Sequence, residues 1–160
     1  MTQRSDEHYM GLALEAARRA QARGEVPVGA VVVADGRVLG EAGNAPIAEH
    51  DPTGHAEVLA LRRAARLREN YRLPGTTLYV TLEPCCMCVG AMIHARVERL
   101  VFGASDPKSG AAGSVFALAR DPAHNHRMEV SGGVLSDDCA AMLRTFFRAR
   151  RAQDDTGDAG

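Results

Sequence analysis

Three of the chain's four cysteines fall within Pro84-Cys85-Cys86-Met87-Cys88, a crowding that makes a poor disulfide framework and a good metal site. Cys85 and Cys88 are spaced i, i+3, so on a helix both thiols project from one face toward one point. Cys86, next to Cys85, points away. His55-Ala56-Glu57, upstream, offers the third donor. Two thiolates and one imidazole suit zinc and leave the fourth tetrahedral position open, the mark of a catalytic rather than a closed structural site. Pro84 fits the first turn of a helix, whose positive end would help keep the thiols ionised. A carboxylate at Glu57, beside such a site, can take a proton from water and pass it on. The pattern points to hydrolytic chemistry.

Helix geometry sharpens this expectation. His55 and Glu57 are i, i+2, which on a regular helix lie on nearly opposite sides. They converge only if His55 stands at a helix start. Asp51-Pro52-Thr53-Gly54 agrees, with Thr53 as the N-cap candidate and Pro52 blocking helix upstream. Two helix N-termini meeting at one zinc is the expected arrangement.

The rest of the chain supplies a scaffold. A first amphipathic helix is expected from Asp6 to about Arg23, capped by Ser5 or Asp6, with Met10, Ala13, Leu14 and Ala17 on its apolar stripe. Val28 to Ala34 reads as a strand buried on both faces, Asp35-Gly36 as a hairpin turn, and Arg37 to about Ala42 as the returning strand. A helix from about Ala56 to Glu69 would bury Val58, Leu59, Leu61 and Leu67. Further strands are expected at Thr77–Thr81, Leu100–Gly103 and about Arg127–Leu135, the last interrupted at Gly132-Gly133. The cysteine helix runs to about His94, and residues 104–113 form a loop. A short helix covers Ser114–Leu118, and a last helix runs from Asp137 to Arg151. Helices alternating with strands imply an α/β fold: a mixed central sheet of about five strands with helices on both faces and the metal at the sheet edge. Residues 1–151 read as one domain, and the acidic tail 152–160 as disordered.

No apolar run approaches the ~20 residues of a membrane helix, and the polar start is unlike a signal peptide, so a cytoplasmic protein is expected. A net charge of −1 gives no global basic field, although Arg144, Arg148, Arg150 and Arg151 cluster late in the chain. A solvated helix face and a phosphate-contacting face are equally good accounts of that cluster.

Beyond the two metal-site segments, the chain carries Glu25-Val26-Pro27-Val28-Gly29-Ala30-Val31, Asp51-Pro52-Thr53, Leu78 through Cys88 and Gly90-Ala91-Met92-Ile93-His94. It continues with Val101-Phe102-Gly103-Ala104, Asp106 through Ser114 and Asn125-His126. Over residues 6–151 this set resembles the cytidine-deaminase-like zinc superfamily, and in detail its bacterial tRNA-specific adenosine deaminases. The resemblance implies the three-layer α/β/α fold of that superfamily and one zinc per subunit held by His55, Cys85 and Cys88. It further implies Glu57 as general acid and base in hydrolytic conversion of a wobble adenosine to inosine. It makes Val28 and Asn44 residues of the base pocket, with Glu83 among the substrate-binding residues. Asp106, Lys108 and Ser109 become contacts to flanking nucleotides, and Phe147 and Arg148 parts of the rim. The implied partners are the tRNA anticodon stem-loop and a second copy of the chain. Gly54 and Glu49 depart from the family's pattern, where alanine and a basic residue are common.

Two other readings remain open at the level of sequence. One is a deaminase of a free nucleobase or nucleoside, of guanine or cytidine type. The other is a zinc-stabilised RNA-binding module without catalysis. His8, His50, His94, His124 and His126 read as surface or hydrogen-bonded histidines, and Cys139 as a buried apolar residue.

Overall fold

The valine-rich run forms β1 (Gly29–Ala34), buried at every position, as a strand covered on both faces must be. The structure, a computed structural model, describes residues 3–157. Asp35 and Gly36, with φ of 50° and 72°, make the two-residue turn whose twist matches paired strands. The chain returns as β2 (Arg37–Gly43), antiparallel to β1, with a register shift between Val32 and Val33. On its other side β1 pairs antiparallel with β3 (Thr77–Leu82). From there β4 (Arg99–Ala104) and β5 (Glu129–Ser131) add in parallel, giving the order β2-β1-β3-β4-β5. The sheet is mixed and five-stranded.

Strand alternation sorts the side chains into two layers. Val31, Val33, Tyr79 and Val101 pack with Met10, Ala13 and Leu14 of α1 (Gln3–Ala22) and with Cys139 of α4 (Ser136–Gly157). Ala30, Val32, Leu78, Val80, Leu100 and Phe102 pack with Leu59, Ala60 and Leu61 of α2 (Ala56–Arg68). Val89 and Met92 of α3 (Cys86–Ala95) join them on that side. Each fully buried Val, Leu or Met stabilises the fold by about 1.5–3 kcal/mol relative to exposure. The layers approach closely because glycine lets them. A Cβ on Gly29 would stand 1.9 Å from the Ala13 carbonyl oxygen, and one on Gly103 would stand 2.4 Å from Cys139 Sγ. Burial pushes the Cys139 thiol up to about 12, so it serves as the inert apolar residue expected.

Several expectations are corrected. Asp6 is no cap: α1 begins at Gln3, and the Asp6 carboxylate lies buried against the sheet. There it accepts hydrogen bonds from the Tyr79 hydroxyl and from both Nη atoms of Arg99, each at 2.8 Å. Leu67 is exposed. The face α2 buries is built on Ala56, Ala60 and Ala64, which let it lie against Gly40 of β2. β5 stops at Ser131 because Gly132 lies under the Phe102 ring, where a Cβ would be 2.4 Å from the nearest ring carbon. Residues 114–117 are not helical; a single 3-10 turn follows at Leu118–Arg120. α4 continues past Arg151 to Gly157, with Arg150/Asp154 and Arg151/Asp155 at the i, i+4 spacing that supports a helix. Residues 158–160 of the expected tail lie outside the described residues. Among the described residues no helix is long and apolar enough to cross a membrane.

Candidate metal centre and active site

His55 and Cys85 occupy equivalent positions on two helices. His55 is the N-cap of α2 (φ −73°, ψ 150°) and Cys85 the N-cap of α3 (φ −78°, ψ 175°). Both are extended, and neither side chain caps its own helix, so both are free to turn toward a common point. The meeting of two helix N-termini is therefore found, with the α2 cap two residues later than the Thr53 that sequence suggested. Thr53 is not the cap; its N–H and hydroxyl both donate to Asp51 Oδ1 at 2.8 Å. Pro84 precedes the α3 cap rather than opening its first turn.

The three ligand atoms form a tight triangle. Cys85 Sγ lies 3.6 Å from His55 Nδ1 and 3.7 Å from Cys88 Sγ, and Cys88 Sγ lies 3.4 Å from His55 Nδ1. Zinc bonds of about 2.3 Å to sulfur and about 2.0–2.1 Å to nitrogen, at tetrahedral angles, place sulfurs ~3.8 Å apart and sulfur ~3.6 Å from nitrogen. The observed edges match that geometry, so the residues fit zinc. Among the described residues this is the one group of three His, Cys, Asp or Glu so disposed. Among the described residues no fourth His, Cys, Asp or Glu joins the group.

The electrostatics prepare the triangle for a cation. Hydrogen bonding from Cys88 and then His55 pulls the Cys85 thiol down to about 4. Cys88 moves the opposite way, raised by its bond to Cys85 and by burial, which favours its protonated form. His55 is raised chiefly by Cys85. Loading the site must displace these protons, which makes metal affinity pH-dependent. Replacing His55, Cys85 or Cys88 singly by alanine is expected to reduce retained zinc from one per chain to less than about a tenth after dialysis, since three donors are the minimum set. Elemental analysis beside the wild type checks this; near-stoichiometric zinc in any of the three removes that residue from the ligand set.

Glu57 lies in the first turn of α2 and is buried, 4% exposed. With His55 extended at the cap, the i, i+2 pair converges as the site requires. Burial pushes the Glu57 carboxyl above its ordinary value, against the opposing pull of its own amide, His55 and Cys88. Asn44 is tied to the same turn: its Oδ1 accepts the Ala56 N–H at 2.8 Å, and its own N–H donates to the Val28 carbonyl at 3.0 Å. Asn44 and Val28 thus hold the α2 N-terminus against the end of β1. Glu25, to which sequence assigned no role, does similar work nearby. Its buried carboxylate accepts the N–H groups of Ile47 and Ala48, fixing the loop that leads to His55. A charged residue abutting a buried valine strand was the available signal.

The remaining expected residues fall in two places. Asp106, Lys108 and Ser109 share one turn, in which Asp106 Oδ1 accepts the Lys108 and Ser109 N–H groups and Oδ2 accepts the Ser109 hydroxyl. This turn and α4 border a groove of ≈ 590 Å³ that also contains Leu82, Arg144, Phe147, Arg148 and Arg151. Phe147 is 43% exposed there, whereas Phe146 is partly buried. Glu83 does not line the groove. It is 2% exposed, and its carboxylate is enclosed by residues 106–114.

Residues 3–104 match the family model for the cytidine and deoxycytidylate deaminase zinc-binding region. The chain belongs to that family. The deaminase is 54% identical over 149 residues to the tRNA-specific adenosine deaminase of Haemophilus influenzae, an alignment spanning 92% of this chain and 86% of the relative. Among solved structures, one studied for A-to-I editing by tRNA deaminases at the wobble position superposes with a TM-score of 0.82 at 46% identity. It covers 85% of this chain and 99% of the other. A guanine deaminase from Nitrosomonas europaea shares the fold at a TM-score of 0.74 and 28% identity, covering 88% and 83%.

Proposed function

We propose that this deaminase hydrolyses adenosine to inosine at the wobble position of a tRNA anticodon loop. The observation that carries the proposal is a groove open to solvent, bordered by Lys108, Arg144, Arg148, Arg151 and the half-exposed Phe147, with Leu82, three residues before Cys85, in its lining. Cations suit the phosphates of a strand and an aromatic face suits stacking of an unpaired base. A free base needs neither. The relatives named as tRNA-specific adenosine deaminases support the same substrate.

The chemistry follows from the placement of Glu57. Zinc held by His55, Cys85 and Cys88 would supply a Lewis acid that lowers the pKa of water. The Glu57 carboxylate accepts a proton from the attacking water and delivers it to the ring nitrogen next to the amino-bearing carbon. Water oxygen bonds to that carbon, the bond to the exocyclic nitrogen breaks, and Glu57 relays a second proton so that ammonia leaves. The product carries a carbonyl where the amine stood. Asn44 holds the turn bearing Glu57, so the carboxylate is aimed before substrate arrives. A homodimer, with the second copy completing the RNA surface, belongs to this proposal; the exposed Val115 and Phe116 supply apolar surface that such a partner would cover.

The substrate is tested by incubating the protein with an anticodon stem-loop carrying a wobble adenosine, and in parallel with free adenosine, cytidine and guanine. Inosine in the RNA alone is expected; turnover confined to a free base or nucleoside overturns the assignment. For Lys108→Ala, the slope of log affinity against log salt should become shallower by about 0.7, the loss of one single-strand phosphate contact. An unchanged slope means that Lys108 sits on a solvated turn.

A further inference from the structure

We propose that Glu83 is a positioning residue that sets the shape of the nucleic-acid-facing turn and ties it to the metal ligand Cys85. The role rests on the tRNA reading only in what the turn is said to touch.

Segment 105–114 has no helix or strand to hold it, yet its backbone polar groups converge on one carboxylate. Glu83 Oε1 accepts the Asp106 N–H at 3.0 Å, and Oε2 accepts the N–H groups of Ala112 at 2.9 Å and Ser114 at 3.1 Å. The Ser114 hydroxyl adds a short bond to Oε1. Four donors spread along the segment thus share the two oxygens of one side chain. Three of the four are backbone amides, those of Asp106, Ala112 and Ser114.

The fit is tight as well as polar. A Cβ on Gly110 would stand 2.4 Å from Glu83 Cδ and 2.6 Å from the Asp106 carbonyl oxygen, so only glycine lets the chain pass so near the carboxylate. Flanking backbone bonds anchor the same segment on both sides: Glu83 N–H donates to the Ala104 carbonyl and Ala111 N–H to the Pro84 carbonyl, each at 2.8 Å. The residues that make these bonds run directly into Cys85, the α3 N-cap. The turn of Asp106, Lys108 and Ser109 is therefore fixed to the stretch that delivers a metal ligand, and Glu83 is the side chain that joins them. With both oxygens taken by its own chain and 2% exposure, Glu83 has no acceptor left for substrate. It acts through the loop.

Glu83→Gln is the direct test, because it keeps the shape and replaces one acceptor oxygen with a donor that faces N–H groups. Two readouts are needed. Amide hydrogen exchange by NMR should show protection at Asp106, Ala112 and Ser114 falling at least tenfold, while bound zinc stays at one per chain. On the anticodon stem-loop, KM should rise about tenfold or more while kcat at saturating RNA stays within about threefold. Ser114→Ala and Gly110→Ala attack the same contact from the loop side and should give the same KM signature, Ser114→Ala the smaller. If Glu83→Gln folds poorly, these two decide. Unchanged exchange at the three amides overturns the proposal, whatever the RNA result. So does a fall in kcat at constant KM, which would place Glu83 at the reacting base. Wild-type protein that fails to deaminate the RNA would count against the tRNA reading alone, since the exchange measurement still judges Glu83.

Discussion

Glu57→Ala is expected to retain one zinc per chain and wild-type affinity for an anticodon stem-loop, yet to lower the single-turnover rate by about 10²–10⁴, the usual range for a removed general acid–base group. Glu57 is one residue past Ala56 and two past the ligand His55, but it is not itself one of the three donors. Removing its side chain should leave the triangle intact. Among the described residues the other buried carboxylates are occupied: Asp6 by Tyr79 and Arg99, Glu25 by the 47–48 amides and Glu83 by the 106–114 loop. Glu57→Gln keeps the shape but cannot carry the proton, and should be as inactive as alanine. Single-turnover assays with zinc analysis and RNA binding on the same preparations check this. Activity within tenfold of wild type in either variant removes Glu57 from the mechanism.

The largest expected effect on stability is at Arg99. Its guanidinium bonds both oxygens of Asp6, and the two side chains are only 19% and 10% exposed. Arg99→Met strands a carboxylate that Tyr79 alone cannot satisfy, at a cost of about 3 kcal/mol, the lower end for a broken buried pair. For a chain of this size that lowers Tm by about 6–12 °C. The Arg99 bond holds the Asp6 carboxyl below the usual carboxylate range. A carboxyl with a lower pKa folded than unfolded contributes stability above its unfolded value, about 3.9, and loses it as the pH falls through the folded value. The deficit of Arg99→Met should therefore be full at pH 7 and shrink on acidification below about pH 4. Adding Asp6→Asn should recover part of the loss at neutral pH. Urea unfolding of the three proteins across that range gives the answer; a pH-independent deficit, or no rescue, means that the pair is not the cause.

Local chemistry made much of this fold legible in the sequence. The valine run of β1, the Asp35-Gly36 turn and the Met10–Leu14 stripe each obey rules that act over a few residues, and each appears where expected. The His55, Cys85 and Cys88 group was legible for the same reason, because the Cys-x-x-Cys spacing puts two thiols on one helix face and His55 stands at a helix start. What escaped depends on partners far along the chain. Asp6 looks like a cap until Arg99, 93 residues away, is seen beside it. Asn44 serves as an external cap for Ala56, and Glu83 organises a loop that begins 23 residues later. Leu67 was misplaced because alanines, not leucines, make the close face of α2. The helical extension beyond Arg151 was missed because Asp154 and Asp155 were counted as part of a tail although their i, i+4 spacing to Arg150 and Arg151 is compatible with a helix.

Running the reaction in water enriched in heavy oxygen, with an anticodon stem-loop carrying a single wobble adenosine, tests hydrolytic deamination most directly. Digested RNA analysed by mass should contain inosine at that position, with one heavy oxygen in the base and one ammonia released per inosine formed, and none of it with chelated protein. An RNA left unchanged by the zinc-loaded protein, or inosine without the heavy oxygen, would contradict it.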